Sequence, residues 1–122
     1  MRFLLDSVIL IDHFNGIEQS TEFLGRHGAE SALSVITRAE VLAGFSDDAQ
    51  PLALDLLDHF RTLPVTIEVA DAAARLRRRA RLKLPDALQA AMASEHQLTL
   101  VTRNTRDFKP GGEPDVLIPY WI

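Results

Sequence analysis

The sequence predicts an α/β domain built around a parallel sheet, and two observations favour that fold class. Short apolar runs, typical of buried strands, alternate with longer segments whose apolar residues recur at helical spacing. Strands separated by helices need crossover connections, which produce a parallel sheet covered on both faces. The chain has 122 residues, 47% of them hydrophobic, so we expect one domain over residues 1–122 with a substantial core.

The first half of the chain contains two strands and four helices by this criterion. The apolar run at 2–5 predicts a short buried strand, and a helix follows from Ser7 to the Asn15–Gly16 pair, where the glycine ends it. The remaining elements of this half are a helix over 18–27, a strand over 31–35, and helices over 36–45 and 50–62.

The second half continues the alternation. A weak strand is predicted over 63–67, and a helix follows on which Val69, Ala73, Leu76 and Ala80 share one face while arginines occupy the other. Pro85 and Asp86 then begin another helix, because proline suits the first helical turn. The remaining predicted elements are a strand over 98–102, a turn-rich loop over 109–115 and a last strand over 116–118.

The composition argues against a disulfide-bonded protein, a thiolate metal site and a membrane-spanning protein. The chain has no cysteine, which excludes disulfides and thiolate metal sites and agrees with a cytoplasmic location. Asp6 and Asp12 interrupt the apolar N-terminal stretch before the roughly 20 residues that a membrane span requires, so we expect no membrane partner. We expect Asp12, like other scattered aspartates, to lie on a solvated face or cap a helix.

The net charge of −4 opposes binding to nucleic acid, but the charge is unevenly distributed. Six of the thirteen Lys and Arg residues lie within residues 75–83. This run is commonly a solvated helix face, and it is also suited to RNA or to a protein partner. If acidic residues hold two divalent cations, the balance becomes −4 + 4 = 0.

Three acidic residues fall at places where predicted strands end. Asp6 directly follows the first strand, Glu40 lies about one turn into the helix after the second, and Asp107 is five residues past the strand over 98–102. Ligands of open parallel sheets bind beyond the carboxyl ends of the strands, where these three residues are expected. Asp86 begins a helix instead, and spacing alone leaves open whether it joins them or only complements the helix dipole.

If these carboxylates converge, cations must neutralise their repulsion. A site with only oxygen ligands selects Mg²⁺ or Mn²⁺, and such ions support phosphodiester hydrolysis. Acids at strand ends also serve phosphotransfer and phosphatase domains of similar architecture, and they can hold a structural cation in a binding module without activity. Spacing alone leaves these alternatives open.

Four motifs, in order along the chain, resemble those of the PIN domain and specifically of VapC toxins. They are LLDSVILID, SVITRAEVLAG, LKLPDALQAAMA and LTLVTRNTRDF, and together they extend from the first strand to Phe108. The resemblance implies a PIN-like three-layer α/β/α fold with a central parallel sheet. It also implies a Mg²⁺- or Mn²⁺-dependent endoribonuclease, the toxin of a type II toxin–antitoxin system, that cleaves RNA such as tRNA, forms a homodimer and is inhibited by a VapB-type antitoxin.

The resemblance also implies roles for individual residues. By position, Asp6, Glu40, Asp86 and Asp107 correspond to the acidic metal-binding and catalytic cluster of the family, and Asn104 to an accessory polar residue that orients a ligand. Ser7 keeps the hydroxyl that usually follows the first acid, whereas Val8 stands where the family usually has Asn or Ser. Thr102 and Arg103 also match the family pattern, without a role that the sequence assigns.

Overall fold

A five-stranded parallel sheet lies at the centre of the protein, in a computed structural model that describes residues 1–109 and 111–122. The strands are β1 (Phe3–Leu5), β2 (Ser31–Ser34), β3 (Arg61–Leu63), β4 (Thr99–Val101) and β5 (Val116–Leu117). Their order is β3-β2-β1-β4-β5, and every neighbouring pair is parallel. The predicted α/β class with a parallel sheet is therefore confirmed.

Helices cover both faces of this sheet. They are α1 (Ser7–Phe14), α2 (Glu18–His27), α3 (Val35–Ala43), α4 (Gln50–Leu57), α5 (Ile67–Ala80) and α6 (Leu84–Glu95). Successive β1 side chains point to opposite faces, so Leu4 packs with α5 and α6 while Phe3 and Leu5 pack with α1, α3 and α4. This gives the three-layer α/β/α arrangement that the motifs imply. None of the described helices is both long and apolar enough to cross a membrane.

The order of the strands creates a switch point beside β1. From β1 the chain proceeds to β2 and β3 on one side, and it then returns to place β4 and β5 on the other. The crevice beyond the carboxyl ends of β1 and β4 is where open α/β sheets bind ligands. Asp6 follows β1 and Thr102 follows β4, so both residues lie at this crevice.

Two predicted boundaries in the middle of the chain are wrong. The helix predicted over 50–62 ends at Leu57, and the strand predicted over 63–67 lies instead at Arg61–Leu63. Pro64 has no N–H for the ladder, so the strand does not continue through it. The Thr66 side chain accepts a hydrogen bond from the Val69 backbone N–H and caps α5. In the loop predicted over 109–115, Pro110 lies outside the described residues.

Candidate active site

Asp6 lies at the switch point and is held by hydrogen bonds from both sides. Its Oδ1 accepts a bond of 2.9 Å from the Ser7 backbone N–H, which makes Asp6 the N-cap of α1. Its Oδ2 accepts a bond of 2.6 Å from the Thr102 hydroxyl, which follows β4. The residue is only 7% exposed. The fold therefore fixes the orientation of this carboxylate between β1 and β4.

A buried polar network behind Asp6 connects three layers of the structure. The Gln89 side-chain amide of α6 donates to Thr37 Oγ1 and, at 3.5 Å, to Asp6 Oδ1. Its carbonyl accepts a bond of 2.7 Å from the Ser34 hydroxyl, and Thr37 in turn donates to the Leu5 backbone carbonyl at 3.2 Å. Sequence reasoning missed this network, although a glutamine on an alanine-rich helix is the kind of polar residue that signals one.

Asp86 lies in the first turn of α6, immediately after Pro85, and it is half-buried. Burial is the largest cause of the raised pKa of its carboxyl, and the negative charges of Asp6 and Asp107 raise that pKa further. Lys83 acts in the opposite direction. Asp86 is therefore close enough to the strand-end acids to interact with them. The helix of a parallel crossover returns antiparallel to the strands, which brings the start of α6 to their carboxyl ends.

Glu40 lies in α3, the helix that follows β2. The residue is exposed overall, yet partial burial of its carboxyl is the largest cause of its raised pKa. A hydrogen bond with Ser7 lowers that pKa, and the negative charges of Asp6 and Asp86 raise it. Glu40 therefore faces the same region as the other two acids, and Ser7 lies close to it.

Asn104 and Asp107 form a local turn after β4. The Asn104 side chain accepts a bond of 3.1 Å from the Asp107 backbone N–H and donates one of 3.0 Å to Asp107 Oδ2. Phe108, which follows, is 5% exposed and packs in the core. This pattern stabilises the turn by itself, and it also fixes the direction of the exposed Asp107 carboxylate.

The four predicted acids thus lie close enough for their charges to raise the pKa values of Glu40 and Asp86. Asn104 is bound to Asp107. Within the described residues, however, no three Asp, Glu, His or Cys side chains are arranged closely enough to hold a metal ion as they stand. Chelation of an ion by these acids would therefore require rotamer changes that bring their oxygens together. Glu40 and Asp107 are exposed, and their side chains have room to make such changes.

Asp12 corrects one expectation. The sequence predicts a solvated or capping residue, but Asp12 is 5% exposed and is bound by Arg103 and by the Tyr120 hydroxyl, the latter at 2.7 Å. The hydrogen bond from Arg103 is the largest cause of its lowered pKa. The pKa of Tyr120 is raised to about 12, and burial is the largest cause. Asp12 lies three residues after the buried Ile9, and this helical spacing is the feature of the sequence that could have indicated that Asp12 faces the core.

The fold and the acids at the switch point together define a class of protein. The sequence profile of the PIN domain matches residues 3–110, and the chain belongs to the PIN domain family. Among known proteins, Ribonuclease VapC10 from Mycobacterium tuberculosis is 33% identical over 112 residues, which cover 86% of this chain and 84% of that protein. The resemblance to VapC proteins is therefore confirmed.

Solved structures agree with this assignment. A chain from a toxin-antitoxin complex of Klebsiella pneumoniae is 38% identical, superposes with a TM-score of 0.86, and the match covers 98% of both chains. A chain from FitAcB of Neisseria gonorrhoeae is 26% identical with a TM-score of 0.81, covering 96% of this chain and 97% of that one. A chain from the DNA-bound VapBC of Salmonella typhimurium, 19% identical with a TM-score of 0.82, shows the same fold.

Proposed function

We propose that this protein is a divalent-metal-dependent endoribonuclease and the toxin of a toxin–antitoxin pair. The observation that carries the proposal is the electrostatic coupling of four carboxylates at the switch point, in a PIN-domain chain that is 33% identical to Ribonuclease VapC10. Phosphotransfer or phosphatase activity, and a silent binding module, become the outcomes that the test below distinguishes.

The donor set fits a hard divalent cation. The four acids offer only oxygen ligands, and the residues nearest to them add hydroxyl and amide groups from Ser7 and Asn104. The raised pKa values of Glu40 and Asp86 indicate that the charged forms lack compensation, which a cation would supply. The residues proposed to hold Mg²⁺ or Mn²⁺ are Asp6, Glu40, Asp86 and Asp107.

Each side chain has a part in the proposed reaction. When bound, the ion lowers the pKa of its water and stabilises negative charge on the phosphoryl oxygens. Thr102 and the α1 N-terminus fix the Asp6 carboxylate, so that its oxygens are directed before any ligand arrives. Asn104 holds Asp107 and directs its carboxylate.

A basic helix face is the described surface best suited to the phosphates of RNA. Within residues 75–83, all six Lys and Arg side chains are free of salt bridges to the described residues. Arg75, Arg78 and Arg79 together line one shallow depression on α5. Unpaired arginines favour contact with phosphates, because the guanidinium group offers positive charge and planar hydrogen-bond donors. We keep tRNA as the proposed class of substrate, because the family resemblance implies structured RNA.

A VapB-type antitoxin is the proposed partner. It is supported by the similarity to a chain from the Klebsiella pneumoniae toxin-antitoxin complex. A homodimer and a cytoplasmic location remain part of the proposal, on the basis of the family resemblance. Of the apolar residues of α1, Ile9 and Leu10 are buried within the chain's own core, and Ile11, at 38% exposure, is the one that α1 presents to a partner.

RNA cleavage with and without chelation tests the proposed function. Purified protein is incubated with tRNA in EDTA, and then after Mg²⁺ or Mn²⁺ is added in excess. Cleavage should occur only with the added metal, because the ion would lower the pKa of a bound water and stabilise negative charge on the phosphoryl oxygens. Asp86→Asn should abolish it, whereas Glu95→Gln, at the opposite end of α6, should cleave like the wild type.

The alternatives predict other outcomes of the same experiment. Cleavage that survives exhaustive chelation would refute the metal mechanism. Hydrolysis of a phosphomonoester such as p-nitrophenyl phosphate, without cleavage of RNA, would indicate a phosphatase. Binding of Mn²⁺ without any hydrolysis would indicate the silent module.

A further inference from the structure

Three consecutive residues after β4 attach to three different places. The Thr102 hydroxyl donates to Asp6, the Arg103 guanidinium donates to Asp12 in α1, and the Asn104 amide donates to Asp107. The segment that carries Asn104 and Asp107 is therefore fixed to α1 by Arg103, which binds the buried Asp12.

The contact between Arg103 and Asp12 has the geometry that fixes orientation. Nη2 donates to Oδ1 at 2.9 Å while Nε donates to Oδ2, so two parallel bonds join the planar groups. The Tyr120 hydroxyl donates to Asp12 Oδ2 at 2.7 Å and completes the coordination of this carboxylate. The Asp12 side chain is 7% exposed and that of Arg103 is 26% exposed, so water competes only weakly for these bonds.

The backbone transmits this orientation to the turn. The Asn104 N–H donates to Thr102 Oγ1 at 3.0 Å, and the Thr105 N–H donates to the Arg103 carbonyl at 2.9 Å. At the far end, Phe108 is buried in the core. A change in the backbone of residue 103 would therefore displace Asn104, because the Arg103 carbonyl is bound within the turn that contains Asn104.

We propose that the Asp12–Arg103 pair, completed by Tyr120, positions the Asn104–Asp107 turn for metal binding at the switch point. None of the three is proposed to contact the ion or RNA, so they are positioning residues. The inference rests on the proposed function, since it concerns the same metal site. It also gives a role to Arg103, for which the sequence assigned none.

The test uses Arg103→Lys, which keeps the positive charge and removes the planar fork. Mn²⁺ affinity of the metal-free protein is measured by titration calorimetry, alongside kcat and KM for RNA. Affinity should fall by about 10- to 100-fold, as expected when the support of metal ligands is lost. The loss should appear in kcat at subsaturating Mn²⁺, and saturating Mn²⁺ should restore most of it, while KM for RNA stays unchanged.

Two control variants separate positioning from stability. Arg2→Lys alters an exposed ion pair with Glu30 at the opposite end of the sheet and should leave Mn²⁺ affinity unchanged. Tyr120→Phe removes one bond to Asp12 but keeps the Arg103–Asp12 fork, so it should lower the melting temperature while reducing Mn²⁺ affinity by less than Arg103→Lys does. If Arg103→Lys is too unstable, Asp12→Asn makes the same test, because it weakens the fork from the other side.

Each outcome bears on a separate claim. Wild-type Mn²⁺ affinity in a destabilised Arg103→Lys protein would overturn the positioning role and leave the proposed function intact. A wild-type protein that binds no Mn²⁺ would overturn both. Reduced affinity in Arg103→Lys, with Arg2→Lys unchanged, would support the positioning role.

Discussion

Asp6 caps α1 and Asp12 lies within the same helix, but the charged groups around these two positions are of opposite sign. Asp12 is neutralised by the Arg103 guanidinium, and that contact lowers its pKa. Glu40 and Asp86 are instead surrounded by other acids, and both their burial and these neighbours raise their pKa values. Among the described residues, Lys83 is the one positive charge that affects the pKa of either Glu40 or Asp86, and it affects only that of Asp86.

The difference shows that burial of a charge does not by itself mark a functional residue. The fold supplies the counter-charge of Asp12, which completes a structural contact between α1 and the C-terminal segment. At the switch point the fold supplies hydrogen bonds to Asp6 but leaves the group of acids without an adequate counter-charge. We therefore propose that a cation from outside the chain provides that charge.

The largest effect that we expect from this comparison is on stability without metal. In EDTA, Asp12→Asn should lower the free energy of unfolding by about 1–3 kcal/mol, because it removes the charge that Arg103 and Tyr120 contact. Asp86→Asn should leave the free energy of unfolding unchanged or raise it, because it relieves repulsion. Urea unfolding of both variants and of the wild type measures the difference.

Glu95 provides a matched control for Asp86. Glu95→Gln neutralises an acid at the C-terminal end of the same helix, and it should change stability by less than about 0.5 kcal/mol. If Asp86→Asn destabilised the protein as much as Asp12→Asn, the two groups of acids would not differ in the way described.

The free energy of unfolding should also depend on pH, because the pKa values of Asp12 and Asp86 are shifted in opposite directions, and this effect should be smaller. Asp12 has a lowered pKa, so its contribution to stability is present above its unfolded value near 3.8 and is lost as pH falls through the folded value. Asp86 has a raised pKa, so its protonated form favours the fold. The wild-type protein therefore loses this contribution as pH rises from 3.8 through the folded value.

Variant and wild-type stabilities should therefore converge at low pH. In EDTA, the gain of Asp86→Asn should shrink as pH falls from about 7 toward the unfolded value near 3.8, whereas the deficit of Asp12→Asn should persist down to that value and shrink only below it. Thermal melts from about pH 7 to below 3.8 measure both differences. A gain of Asp86→Asn that grows as pH falls would contradict the raised pKa of Asp86.

Much of the fold was predictable because its signals are local. Buried strands and amphipathic helices have characteristic spacing, and the order of elements then required a parallel sheet. The exception was β3, a strand of three residues in which Arg61 is exposed and only Leu63 is buried. Its pattern is too short to distinguish it from the end of the preceding helix.

The candidate site was predictable where a strand end fixes the residue, as for Asp6. The position of Asp86 needed the direction of α6, which spacing does not give. The burial of Asp12 depends on Arg103 and Tyr120, which are 91 and 108 residues away along the chain. The spacing of Asp12 from Ile9 indicates which face of α1 it occupies, but it does not identify these distant partners, and the same applies to the bond between Gln89 and Ser34.

The thermal shift caused by Mn²⁺ in the wild type and in Asp86→Asn tests the central claim most directly. Each protein is melted in EDTA and in excess Mn²⁺, and the cleavage of tRNA is assayed in parallel. The melting temperature of the wild type should rise with Mn²⁺, because a ligand of the folded state stabilises it according to its affinity. Asp86→Asn should show little of this rise and no cleavage. An Asp86→Asn protein with the full Mn²⁺ shift and wild-type cleavage would contradict the account and leave Asp86 as an acid that only begins a helix.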